Sequence, residues 1–206
     1  MVSDLHISIL FLLVSSSLRA GDTVRSEHTR ITFGAEWNYV GSFYCSIHHN
    51  FYSEVGYRVD LKNNISDYAS NADLYLHCGY NLNDRWNLSL YAGIAGVSDI
   101  NRIVPLSLRA TRYFRPDGNG DRWFTFIDGG SGITLTGHPQ AAASGKIGCG
   151  YRVSLSNASK LDFLFAFRTT LTHPEIEFDG FSVPLDKINR NNAYVCAFSA
   201  GISLTL

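Results

Sequence analysis

The sequence predicts an all-β chain: an eight-stranded antiparallel β-barrel of the transmembrane kind, with up-and-down topology. Three observations predict it. Apolar residues recur with period 2 in eight segments, and no 3.6-residue periodicity is sustained over three turns. Charged residues are only 17% of the 206, while aromatic residues reach 13% and glycines number 18. The connectors alternate long and short, as they do in barrels with short turns at one rim and longer loops at the other.

The charge totals exclude other classes. Lys and Arg (17) nearly cancel Asp and Glu (18), giving a net charge of −1. That is no electrostatic footprint for nucleic acid, and it is no acidic disordered tail.

The amino terminus reads as an address. Residues 7–14, ISILFLLV, form an unbroken apolar run followed by Ser15, Ser16, Ser17, Leu18, Arg19 and Ala20. This fits a signal peptide over residues 1–20, leaving a barrel domain over 21–206. The opening MVSDLH lacks the Lys or Arg usual in such a leader. The run is too short for a spanning helix, which needs about 20 residues.

The first alternating segment is 30–39, with Ile31, Phe33, Ala35, Trp37 and Tyr39 on one face and Arg30, Thr32, Gly34, Glu36 and Asn38 on the other. The second, 72–80, opposes Leu74, Leu76, Cys78 and Tyr80 to Asp73, Tyr75, His77 and Gly79. In the third, 86–94, Trp86, Leu88, Leu90, Ala92 and Ile94 oppose Asn87, Ser89, Tyr91 and Gly93. In the fourth, 104–114, Leu106, Leu108 and Ala110 oppose Ser107, Arg109, Thr111 and Tyr113. The fifth, 123–135, is ambiguous. Trp123, Ile127, Ile133 and Leu135 share one face, Asp128 takes the other with Phe124 and Phe126, and a bulge at Gly129-Gly130 is an alternative. The sixth, 146–155, opposes Ile147, Cys149, Tyr151, Val153 and Leu155 to Lys146, Gly148, Gly150, Arg152 and Ser154. The seventh, 161–171, opposes Leu161, Phe163, Phe165, Phe167 and Leu171 to Asp162, Ala166, Arg168 and Thr170. The eighth, 194–206, opposes Tyr194, Cys196, Phe198, Ala200, Ile202, Leu204 and Leu206 to Val195, Ala197, Ser199, Gly201, Ser203 and Thr205. The long connectors are 41–70, 95–103, 136–145 and 173–191. The short ones are 81–85, 115–122 and 156–160, rich in Asn, Asp, Gly and Ser.

Alternation alone does not say which face is inside, and a soluble lipocalin-like barrel would turn its apolar face inward around a ligand. Two features favour the opposite arrangement. The polar face carries charges of both signs, Arg30, Arg109, Lys146, Arg152 and Arg168 with Glu36, Asp73 and Asp162, which suit an ion-paired lumen and are costly against lipid. The apolar face puts Trp37, Tyr39 and Tyr194 toward one end and Tyr80, Trp86 and Trp123 toward the other, as aromatic girdles do. The last segment also resembles the carboxy-terminal sorting signal of outer-membrane proteins, with Leu206 where Phe is usual.

The segments GAEWNYVGSFY (34–44), GYNLNDRWNLSLYAG (79–93), VPLSLRATRYF (104–114), DRWFTFIDGGSGI (121–133) and DKINRNNAYVCAFSAGISLTL (186–206) resemble an uncharacterised group of small outer-membrane β-barrel proteins from Bacteroides and its relatives. Those motifs are strands and turns. The resemblance implies a fold and a location, with no activity to carry over.

Candidate chemistry is sparse. Cys78, Cys149 and Cys196 fall on the apolar face of non-adjacent segments, and Cys45 lies alone in the first long connector, so no disulfide framework is expected. No ligand spacing suggests a metal, and no cofactor is expected. Ser46, His48, His49, Tyr52, Ser53 and Glu54 contain a Ser-His-Glu set that raises the alternative of a lipid A deacylase-like enzyme. Nothing pairs these residues on an apolar face, so no catalysis is expected. The reading is a monomeric outer-membrane barrel with a structural or surface-binding role through the loops 41–70 and 173–191. Its expected partners are outer-membrane lipid and lipopolysaccharide, the barrel-assembly machinery, and an extracellular ligand at those loops.

Overall fold

The computed structural model describes residues 30–53, 55–97, 102–116, 120–135 and 139–206; the segment read as a signal peptide lies outside the described residues. Eight strands form the staves of a closed barrel: β1 (Ile31–Tyr52), β3 (Ala69–Asn83), β4 (Trp86–Gly96), β5 (Arg102–Tyr113), β6 (Arg122–Thr134), β7 (Ala141–Ser154), β8 (Lys160–Thr172) and β11 (Ile188–Thr205). Three shorter strands, β2 (Arg58–Ile65), β9 (Glu177–Phe178) and β10 (Phe181–Ser182), lie at the long-connection rim. Every stave pairs antiparallel with its neighbours, and β1 pairs with β11 to close the sheet.

The period-2 pattern becomes two faces. Ile31, Phe33, Leu74, Leu76, Leu90, Leu106, Leu108, Ile127, Ile147 and Phe165 point outward and are exposed, while Glu36, Asp73, Arg109, Asp128, Lys146, Arg152, Asp162 and Arg168 are buried within. The lipocalin arrangement is thus inverted. Rings fill much of the remaining interior. Gly148 and Gly150 on β7 leave room for Phe126 and Phe124; a Cβ at Gly150 would lie 2.4 Å from the Phe124 ring and 2.4 Å from the Phe163 carbonyl.

Two of the short turns close through side-chain caps. Asn83 Oδ1 accepts from the backbone N–H of Arg85 and of Trp86, both at 2.9 Å. Ser156 Oγ accepts likewise from Ala158 and Ser159. These are the local hydrogen bonds that make Asn and Ser turn residues.

Two expectations change and one open reading is settled. The connector 41–70 is mostly strand: β1 runs on to Tyr52, and β2 pairs with its upper half from Cys45↔Ile65 to Tyr52↔Arg58. A bulge between Ser42 and Tyr44 reverses the parity of β1, so Cys45 packs inward against the cluster of Tyr75, Tyr91 and Val195. Strand β6 has no register shift against β5 or β7, which settles its parity: Phe124, Phe126 and Asp128 face in and Trp123 and Ile127 face out.

Candidate functional site

Two regions concentrate polar chemistry: the lumen and the tip formed by β1, β2 and the start of β11.

The lumenal charges sit in three tiers. In the middle, Arg109 on β5 reaches across to Glu36 on β1, donating at 2.5 Å to Oε2 and 3.0 Å to Oε1. It also donates to Asp128 at 3.2 Å and to the Tyr91 hydroxyl at 3.0 Å. Its guanidinium is sandwiched between the Tyr91 ring (4.0 Å) and the Phe126 ring (4.4 Å). Toward the long-connection rim, Asp73 accepts from Arg168 at 2.9 Å and from Lys146 at 3.4 Å, and Arg168 also donates to the Gly96 carbonyl. Toward the short-turn rim, Arg152 grips Asp162 with two bonds of 2.6 Å.

Four cations therefore meet four carboxylates: Arg109, Lys146, Arg152 and Arg168 against Glu36, Asp73, Asp128 and Asp162. Arg30 is not among them. It lies exposed just before β1, outside the ladder, where the alternation no longer constrains it. Two further residues, Tyr113 and Arg122, contribute to the network. Tyr113 stacks under Arg122 at 3.8 Å and Arg152 at 4.8 Å, and Arg122 donates to the Asp84 carbonyl. The inward parity of Tyr113 is readable in the fourth segment, whereas Arg122 falls in the connector 115–122 and becomes the first residue of β6 only in the structure.

Charged side chains and rings pack the lumen. The void bounded by His77, Ser89, Arg109, Tyr113, Arg152 and Asp162 has a volume of about 20 Å³, enough for roughly one water.

The aromatic residues expected at the girdles all lie on the outer face, between 41% and 60% exposed: Trp37, Tyr39, Tyr80, Trp86, Trp123 and Tyr194. Trp86 carries the outward Arg112 over its ring at 5.8 Å, and Trp123 packs on Tyr151.

At the tip, the Asp179-Gly180 turn joins β9 and β10 with positive φ at both residues (51° and 83°), as a two-residue hairpin turn requires. This hairpin lays Phe178 against the buried Phe51 at 5.3 Å. An apolar cavity of about 220 Å³ opens between Phe51, Tyr57, Phe178, Phe181 and Pro184. A second of about 530 Å³ lies between Gln140, Ile176, Leu185, Ile188 and Asn191.

The Ser-His set does not assemble. Ser46 Oγ donates to Asn64, while His48 Nε2 bonds Asp60 at 2.8 Å and its Nδ1 lies 3.5 Å from Arg190. His49 turns inward toward Asn191, its cross-strand partner. Ser53 is buried in the wall of the tip cavity, Tyr52 flanks it, and Glu54 lies outside the described residues. The hydrogen bond from His48 holds the Asp60 carboxyl below its usual range. Burial, with His48 adding to it, pushes the His49 imidazole below its ordinary value. All four cysteines are free. Among the described residues, no group of three or more His, Cys, Asp or Glu could hold a metal ion.

No family model matches the chain, and no curated protein matches it in sequence. Solved structures do. The outer membrane protein OprG from Pseudomonas aeruginosa is 10% identical, with 89% of this chain and 99% of that one covered and a TM-score of 0.50. Neisserial surface protein A is 14% identical over 81% and 95% of the two chains, with a TM-score of 0.44. The N-terminal β-barrel domain of Pseudomonas aeruginosa OprF is 13% identical over 84% and 99%, with a TM-score of 0.42. The likeness to OprG shows the fold, a closed eight-stranded antiparallel barrel of the outer-membrane kind.

Proposed function

We propose that this protein is an integral outer-membrane barrel that works as a scaffold, holding a binding surface at the tip of β1, β2 and β11 outside the cell. The observation that carries the reading is the contrast between rims and lumen. The lumenal void beside Arg109 and Tyr113 holds about 20 Å³, whereas cavities at the tip hold about 220 and 530 Å³. Conduction needs a continuous aqueous path, which eight strands filled with side chains do not provide. The outward apolar face supports a lipid environment, since so many exposed large hydrophobic residues on every stave have no place in water. The strand and turn segments that resemble the Bacteroides group agree with this location.

The test has two parts. Outer-membrane fractionation with heat-modifiable migration in detergent gels checks the location; a detergent-free soluble monomer would overturn it. Planar-bilayer recording checks the sealed lumen. We expect no discrete conductance, and steady single-channel steps from the pure protein would refute the scaffold reading.

A further inference from the structure

The outward face of the tip carries a cationic patch. Cross-strand pairs put Tyr194 beside Ser46, Asn192 beside His48 and Arg190 beside Asn50, and on the other side His48 beside Lys62, Asn50 beside Asp60 and Tyr52 beside Arg58. Because alternate residues share a face, Arg58, Lys62 and Arg190 all emerge on the side of Tyr194, away from the barrel axis. Three fixed cations thus face one carboxylate, Asp60. The patch is pre-organised: Arg58 Nε donates to Asn50 at 3.0 Å, His48 bonds Asp60, and Arg190 Nη1 approaches His48. The Arg58 bond uses Nε alone and leaves its paired terminal nitrogens for another acceptor.

Directly below lies an apolar surface with a built shape. Phe43, at the β1 bulge, points outward, where it stacks on Phe198 at 5.0 Å and approaches Phe167 at 6.4 Å; Phe165 stacks on Phe198 at 5.8 Å. Tyr68 folds across Gly41 and shares a hydrogen bond with Tyr39. From the Tyr194 ring the cations begin within four residues, about 13 Å along the strand. Phenyl rings with Tyr39 and Tyr68 on the same rungs, then Tyr194, then the cations follow one another on one continuous face, and this sequence complements an amphiphile with several acyl chains and a phosphorylated head.

We infer that this face of β11, β1 and β2 binds lipopolysaccharide, with its acyl chains on Phe43, Phe165, Phe167 and Phe198 and a lipid A phosphate held by Arg58, Lys62 and Arg190. A soluble polyanion would use the cations without the phenyl surface beneath them. The inference rests on the outer-membrane reading.

The test is native mass spectrometry of the detergent-solubilised full chain mixed with diphosphoryl lipid A or with the same lipid after phosphatase treatment. We expect retention of the phosphorylated form to exceed the other by about tenfold or more, and the triple variant R58S/K62S/R190S to abolish the difference. Phe198→Ser, which spares every cation, should weaken retention of both lipids. Equal retention of the two lipids by the unaltered protein overturns the inference, as does full discrimination by the triple variant. Binding of a heparin hexasaccharide in preference to lipid A also overturns it, assigning the patch to a soluble glycan. Heat-modifiability of each variant reports its folding, and fractionation reports the location separately. A protein found in the outer membrane without discrimination sinks this inference alone.

Discussion

Arg109 and Glu36 stand on staves β5 and β1, 73 residues apart in sequence, and join across the lumen through two hydrogen bonds. The pair is buried, flanked by Asp128 and clamped between Tyr91 and Phe126. It ties opposite walls of the barrel where no backbone ladder can.

Removing one partner strands the others. Arg109→Met leaves Glu36 and Asp128 facing each other without their cation, and the expected cost is about 3–5 kcal/mol. Urea unfolding in lipid vesicles measures it. Adding Glu36→Gln to the same chain should recover part of the loss; a double variant as unstable as the sum of the singles would contradict the pairing.

The outer face is testable at one ladder position. Leu90 faces out between Cys78 and Leu108. Leu90→Arg should cost about 2–4 kcal/mol in a bilayer, whereas Leu90→Met should be nearly neutral. Its neighbour Ser89 faces the filled lumen, so Ser89→Arg should disturb packing there while leaving the lipid face intact. Equal tolerance of arginine at both positions, read by assembly into outer membranes, would reverse the assignment of faces.

Gly150 offers a packing test. A Cβ there meets the Phe124 ring and the Phe163 carbonyl, and the carbonyl cannot yield without moving β8. Gly150→Val should destabilise by about 1–3 kcal/mol. The combination with Phe124→Ala should recover only part of this, because the backbone clash remains. Vesicle unfolding of the three variants decides the matter.

Acid should loosen the tip before the barrel. Both Asp60 and His49 have folded values below their ordinary ones. In each case the unfolded tip binds protons more readily, so the stabilisation is complete above the unfolded value and is lost as pH falls through the folded one. The window opens for His49 below about pH 6.5 and for Asp60 below about pH 4. Hydrogen exchange at residues 45–51 and 58–65, corrected for intrinsic rates, should accelerate in two stages. His49→Phe should remove the earlier stage. Protection unchanged from pH 7 to pH 3.5 would refute this.

Most of the barrel was legible because a half-exposed stave has only two faces and writes them with period 2. All eight segments became staves, and the inward parity of Glu36, Asp73, Arg109 and Arg168 was readable from their apolar neighbours. The bulge at Ser42/Tyr44 was not legible, because an inserted residue breaks parity without leaving a compositional mark. Alternation alone therefore puts Cys45 and His49 in a connector, whereas both lie on β1. Arg30 failed for a related reason: alternation continues on paper past the last ladder pair, where no sheet holds the side chain. The lumenal partnerships were invisible because closure, a property of the whole sheet, decides which side chains meet across it.

The pairing of β1 with β11, from Gly34↔Thr205 to Phe51↔Ile188, has a kinetic consequence. Most other contacts between staves join strands consecutive or nearly so along the chain and can form as local hairpins. The seam alone must bring together segments separated by most of the sequence, a slow step because chain entropy is spent before any contact repays it. Until it closes, β1 and β11 present open edges able to pair with a foreign strand. Zipping this seam is therefore the committing event of assembly, and the interval before it is when the chain is most exposed to aggregation.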